Sequence, residues 1–294
     1  MPADEWAAFN RSVLREARRL KLPVERLDPG LLVIQGLGER GLLNLAQLCH
    51  AAAPTEWTAL IERHLRIVTD PTAFTGFHPD LLRIRLVPDS AAPASAEPEA
   101  PPSPVIHPYA ESVVATLTVD LPTTVRIANT EEVTGAGLGI DEAWSRAWAQ
   151  TRSRERPDRN ELLGPETAAV HIIEGPSFFT SSLVEFLPDL LPGIDLKGAL
   201  VSIPRRHTIL DHAIHDLSTV EAVQVMLPLT RRIHADGPGS VSAHLYWWRP
   251  GSGVGAGPGQ GHLAWLPSYL NDDTLEFHPS PDFVELLNTL GPAA

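Results

Sequence analysis

The sequence predicts an α+β fold: a mixed β-sheet packed with helices, with an N-terminal α/β segment joined to the rest by a Pro/Ala-rich linker. Three observations carry this reading. Short β-branched runs recur along the chain between amphipathic segments of helical period. Residues 88–104 hold six prolines and five alanines without one large apolar side chain, so nothing there offsets the entropy of ordering. The 294 residues are 43% hydrophobic, enough for a substantial core and too many for bulk disorder. The expected division is therefore 1–87 as an N-terminal segment, 88–104 as linker and 105–294 as a C-terminal α+β domain.

In the N-terminal segment, residues 4–21 place Trp6, Phe9, Val13, Ala17 and Leu20 on one helical stripe, and Pro23 ends it. The arginines opposite, Arg11, Arg15, Arg18 and Arg19, read as a solvated face. Leu31–Ile34 reads as a short strand, with Gly36, Gly38 and Gly41 as a turn after it. A helix from Leu42 to Ala53 carries Cys49 as a small core residue. A further helix begins near Thr55, where Trp57, Leu60, Ile61, Leu65 and Val68 share a face. From Leu81 to Val87, Leu82, Ile84 and Leu86 alternate with Arg83 and Arg85, the pattern of a half-buried strand with its arginines toward solvent.

Beyond the linker, Val113–Val119 and Val125–Ala128 read as strands broken at Leu121-Pro122. A helix over Asp141–Arg152 sets Trp144 and Trp148 four apart on one core-facing stripe. Asp158-x-x-Glu161, Ser182-x-x-Glu185 and Ser218-x-x-Glu221 each have capping-box spacing. The third opens an apolar helix that Pro228 is expected to kink or end. Strands are expected at Ala169–Ile173, Ala199–Ile203, Thr208–Ile214, Ala243–Trp248 and His262–Leu266. Ser280 and Pro281 open a last helix that Gly291-Pro292 closes.

Charge narrows the functional classes. The formal net charge is −13; residues 1–87 carry 11 basic and 10 acidic groups, whereas 105–294 carry 12 and 23. Such an acidic C-terminal part repels phosphate backbones, so no nucleic-acid partner is expected. No membrane span or secretory leader is read, and a single cysteine excludes a disulfide framework and a thiolate-rich zinc site. A cytoplasmic protein is the expectation.

The segment His207, Asp211, His212, His215 and Asp216 gathers three imidazoles and two carboxylates within ten residues, a candidate metal or acid/base set. On a helix Asp211 and His215 could share an ion; on a strand these side chains fan apart. The β-branched stretch around Ile209 favours the strand. The glycine-rich Gly251–Gly261 lacks the Gly-Lys-Ser/Thr ending of a phosphate loop, and Gly135-Ala-Gly137-Leu-Gly139 lacks the third glycine of a dinucleotide fingerprint. Gly175-Pro-Ser177-Phe-Phe179 is no nucleophile elbow, because Phe179 stands where the last glycine belongs. Tyr246, Trp247 and Trp248, with Trp265, form an interaction patch if one face of their strand is left uncovered.

Residues 105–290 resemble an uncharacterised bacterial family, the YtpQ-like proteins. The residues that carry the resemblance are Leu117-Thr-Val-Asp120-Leu-Pro122-Thr-Thr-Val125-Arg126, Gly139-Ile140-Asp141-Glu142-Ala143, Ser181-Ser182-Leu183 and Ala199-Leu-Val-Ser-Ile-Pro204-Arg205-Arg206. His207 departs from the pattern, where an acidic residue is expected. The resemblance implies an α+β fold in a cytoplasmic bacterial protein and no catalytic residues. The expected function is a non-enzymatic protein-binding or adaptor module without a cofactor. The alternatives are a metal-dependent hydrolase using the 207–216 cluster and a small-ligand or nucleotide binder using the glycine loop.

Overall fold

The computed structural model describes residues 3–28, 30–70, 76–91, 103–121, 124–162, 168–191, 194, 197–237, 239–249, 263–271 and 274–291. Most of the expected linker, the Gly251–Gly261 stretch, Pro122, Pro192 and Asp272-Asp273 lie outside the described residues. The fold is α+β. It divides into two compact units, one of Met1–Gly76 with Asp120–Arg126 and Asp236–Gly239, the other of Phe77–Val119, Ile127–Ala235 and Ser240–Ala294.

The first unit opens with α1 (Ala3–Arg19), then β1 (Val24–Asp28), β2 (Leu31–Ile34) and β3 (Gly38–Gly41), which pair antiparallel in chain order. The glycines expected only as a turn thus also supply a strand. Helices α2 (Leu43–Ala51) and α3 (Trp57–Thr69) follow. Phe9, Val13, Ala17, Leu32, Ile34, Cys49, Ile61 and Leu65 form its core, and burial pushes the Cys49 thiol up to about 11, so it stays protonated and inert at neutral pH.

The second unit begins with β4 (Leu82–Pro88), β5 (Ile106–Ala110) and β6 (Val113–Asp120), ordered β4-β6-β5 and antiparallel throughout. The strand expected to end the N-terminal segment therefore belongs to the C-terminal part, because its alternating leucines and isoleucine register with Val119, Leu117 and Ala115. After β7 (Val125–Ile127), α4 (Thr130–Gly135) starts at a capping box the sequence reading missed: Asn129 accepts from the Glu132 amide at 2.8 Å, and Glu132 accepts from the Asn129 amide at 3.3 Å. Helix α5 (Ile140–Arg154) buries Ala143, Trp144, Ala147, Trp148 and Thr151 on one stripe.

The chain continues through β8 (Asp158–Leu162), β9 (Val170–Glu174), the 3-10 helix Thr180–Phe186, α6 (Leu187–Leu190), β10 (Ala199–Arg205), β11 (Thr208–Ala213), α7 (Ser218–Asp236), β12 (Leu245–Trp248), β13 (Leu263–Leu266), β14 (Ser268–Asn271), β15 (Thr274–Phe277) and α8 (Pro281–Thr289). Six strands make one antiparallel sheet in the order β13-β12-β10-β11-β9-β8. Leu200, Leu210, Leu245 and Trp247 from that sheet pack with Met226 and Leu227 of α7 and Phe283 of α8.

Three expectations need correcting. Asp158-x-x-Glu161 opens no helix; it is the outermost strand β8, held by pairing with β9. Ser182-x-x-Glu185 lies inside the 3-10 helix. Of the two outcomes expected at Pro228, ending is overturned: α7 continues to Asp236, because Met226, Leu227 and Thr230 on either side of the proline are buried and offset the one lost backbone bond. The aromatic patch is also closed. Tyr246, Trp247 and Trp248 are buried, since core covers both faces of β12; only Trp265 keeps partial exposure.

Candidate functional site

The extended reading holds over Thr208–Ala213, strand β11, where successive side chains leave opposite faces of the sheet; His207 lies in the turn before it and His215 and Asp216 in a bend after it. Asp211 is fully buried and takes the Arg159 guanidinium at 2.9 Å, with the His171 ring 3.6 Å away. His212 points to the other face, where its Nδ1 bonds the Ala169 carbonyl at 3.0 Å and its Nε2 meets the Thr219 hydroxyl at 3.5 Å. His215 is exposed, and Asp216 accepts from the Ser218 amide at 2.8 Å, satisfying the start of α7. Among the described residues no group of three His, Cys, Asp or Glu side chains is placed to hold a metal.

His212 carries a testable consequence. Burial holds its imidazole below the ordinary histidine range, against the Ala169 bond and the nearby Asp216 and Asp211 carboxylates. His207, His234 and His244 are lowered too, again chiefly by burial. A histidine depressed in the folded state leaves stability intact above about pH 6.5, the unfolded value, and erodes it as pH falls from there toward the folded value. The urea midpoint is expected to drop between pH 7.5 and 5.5, and less steeply in His212→Leu. A midpoint that stays level across that range in the native sequence would contradict the buried-neutral assignment.

His207 belongs to a different constellation. Strands β10 and β11 meet at Arg205↔Thr208, with a register shift between Ser202 and Arg205, and leave Arg206 and His207 as the two-residue tip. The loop Gly175–Phe179 is fastened to that tip from both sides. The Gly175 amide donates to the His207 carbonyl at 3.1 Å, the Ser181 amide donates to the Arg206 carbonyl at 3.0 Å, and His207 Nδ1 bonds the Ser177 carbonyl at 2.9 Å. Gly175 is required by closeness: a β-carbon there would stand 2.5 Å from the Thr180 hydroxyl.

Strand β4 brings two arginines to this loop. Arg83 and Arg85 are two apart, so they share a face, and that face is covered by the loop and the 3-10 helix instead of water. Arg83 is 3% exposed; its guanidinium lies 4.4 Å from the centre of the Phe179 ring and pairs with Glu155, which also accepts from the Ser177 hydroxyl at 2.9 Å. Arg85 repeats the arrangement with Phe178, at 5.9 Å, yet where Glu155 would be expected a second arginine appears. Arg206, 6% exposed, stacks on the same Phe178 ring at 4.1 Å.

The charges there do not balance. Arg83 has Glu155, and Arg205 has Glu174 at 3.0 Å. Among the described residues Arg85 and Arg206 have no carboxylate partner; the Arg85 Nε is buried without any hydrogen bond, and Arg206 Nε donates only to His207 Nε2, at 3.0 Å. Burial lowers both guanidinium pKa values, and Arg85 adds to the effect on Arg206, which falls to about 10. His207 is held as the Nδ1–H tautomer, since Ser177 takes its proton and Arg206 occupies its other nitrogen. Phe178 remains 37% exposed, so the site opens to solvent.

A groove of about 380 Å³ beside Arg152 and Leu183 is charge-matched in contrast, because Arg152 grips Asp189 at 2.6 Å. Comparison with family models, curated proteins and solved structures finds no match to the chain.

Proposed function

We propose that the chain is a non-enzymatic recognition module that docks an anionic group of another protein onto Arg85 and Arg206 around Phe178. The carrying observation is a pair of guanidiniums, Arg206 buried and Arg85 half-buried with its Nε shut from water, that meet no carboxylate among the described residues, since a charge withdrawn from water is tolerated when something neutralises it. A half-exposed aromatic ring between arginines is also the composition of an interface anchor. The net charge of −13 argues against nucleic acid and anionic membranes, whose extended negative surfaces the chain repels, and leaves a discrete group as the ligand. The proposal includes the YtpQ-like resemblance, which assigns no catalytic residues, and a cytoplasmic, bacterial setting. The hydrolase alternative has less support, because β11 sends Asp211 and His212 to opposite faces.

Titration calorimetry at low salt with a short, otherwise uncharged peptide carrying one glutamate or one phosphoserine tests the proposal. Binding is expected in the native sequence and should weaken at least about tenfold in Arg85→Gln/Arg206→Gln, the loss of two charge-assisted contacts. An affinity unchanged by that double substitution, or no binding of either peptide to the native protein, would overturn it.

A further inference from the structure

We infer that the group recognised at Arg85 and Arg206 is a phosphoryl dianion, carried as a phosphorylated side chain on the partner protein. This rests on the docking reading of the same site and adds the chemical class of its ligand.

Charge is the first argument. Two guanidiniums lie against one ring without a carboxylate among the described residues, so a single carboxylate would leave one positive charge unmatched. A phosphomonoester carries up to about two negative charges at pH 7 and neutralises both. The same sheet supplies the comparison. Around Phe179, one arginine is answered by one carboxylate, Arg83 by Glu155; around Phe178, two arginines stand where that pair would be.

Donor count is the second argument. Arg206 spends its Nε on His207, and among the described residues Arg85 Nε is buried without a hydrogen bond. Two guanidiniums over one ring offer more donors than a two-oxygen group can accept, and suit an acceptor with three oxygens better. His207 adds no donor, because its outward nitrogen already accepts from Arg206.

The carrier follows from the surroundings. Residues 105–294 carry 23 acidic against 12 basic groups, so a chain of phosphates is repelled while a single one enters. Phe178, exposed beside the cations, gives the flanking residues of a peptide an apolar surface that free phosphate cannot use.

The experiment compares four probes by calorimetry: a neutral peptide with one phosphoserine, the same peptide with glutamate in its place, the unmodified peptide and inorganic phosphate. The phosphoserine peptide is expected to bind at least about tenfold more tightly than the others, and Arg206→Lys, which keeps the charge and loses the fork, to remove most of that margin. Thermal unfolding of Arg206→Lys checks that the loss is not unfolding. If the glutamate peptide binds as tightly as the phosphoserine peptide, or binds while the phosphoserine peptide does not, the dianion inference falls and the docking reading stands. If neither binds, both fall. Free phosphate binding as tightly as the phosphopeptide overturns the protein-borne source.

Discussion

Glu155→Gln is expected to destabilise the second unit by about 3 kcal/mol, toward the lower end of the ~3–5 kcal/mol seen when one member of a buried ion pair is removed. The side chains of Arg83 and Glu155 are 4% and 6% exposed, so the charge left on Arg83 has little water to turn to. Glutamine keeps an acceptor for the Ser177 hydroxyl, which separates the loss of charge from the loss of a hydrogen bond. A loss of that size is a large part of the ~5–15 kcal/mol that holds an ordinary domain together. The double change Arg83→Met/Glu155→Leu should recover most of it, because an apolar pair of similar volume needs no desolvation. Urea unfolding of the three variants measures the cycle. A Glu155→Gln midpoint equal to that of the native sequence would mean that Arg83 is not held by this carboxylate.

The strands β6, β10 and β11 were legible because their β-branched, apolar runs leave few alternatives, and α8 because Ser280, Pro281 and the apolar spacing agree. The edge strand β8 was not, since Asp-Arg-Asn-Glu-Leu has the residues of a capping box and owes its extension to the neighbour β9. The site was half legible. Alternation correctly put Arg83 and Arg85 on one face of a strand, but a period of two says nothing about what covers that face. The cover is Phe178 and Phe179, some ninety residues on, brought there by hydrogen bonds from the loop to the tip of β10 and β11. Arg206 stood inside the segment that carries the family resemblance, yet its burial depends on that same loop. The histidine-rich cluster drew attention by density, and density along a strand is divided between two faces.

Arg206→Met should stabilise the free protein by about 1–3 kcal/mol while abolishing anion binding. The side chain is 6% exposed and faces a second unmatched cation, so its desolvation is uncompensated until a ligand arrives. Methionine retains the contact with Phe178 through a sulfur–aromatic interaction and fills a similar volume. His207 loses a donor at Nε2 but is partly exposed, so water replaces it. The ligand then reverses the order. A phosphoserine peptide at 100 times its Kd stabilises the native protein by about 2.7 kcal/mol and leaves Arg206→Met where it was. Thermal unfolding with and without peptide reads both halves: the variant melts higher alone, and its advantage shrinks or vanishes when peptide is present. An Arg206→Met variant that melts well below the native protein in the absence of any anion would show that the Arg206 charge is already satisfied within the fold, and the recognition site would have to be sought elsewhere.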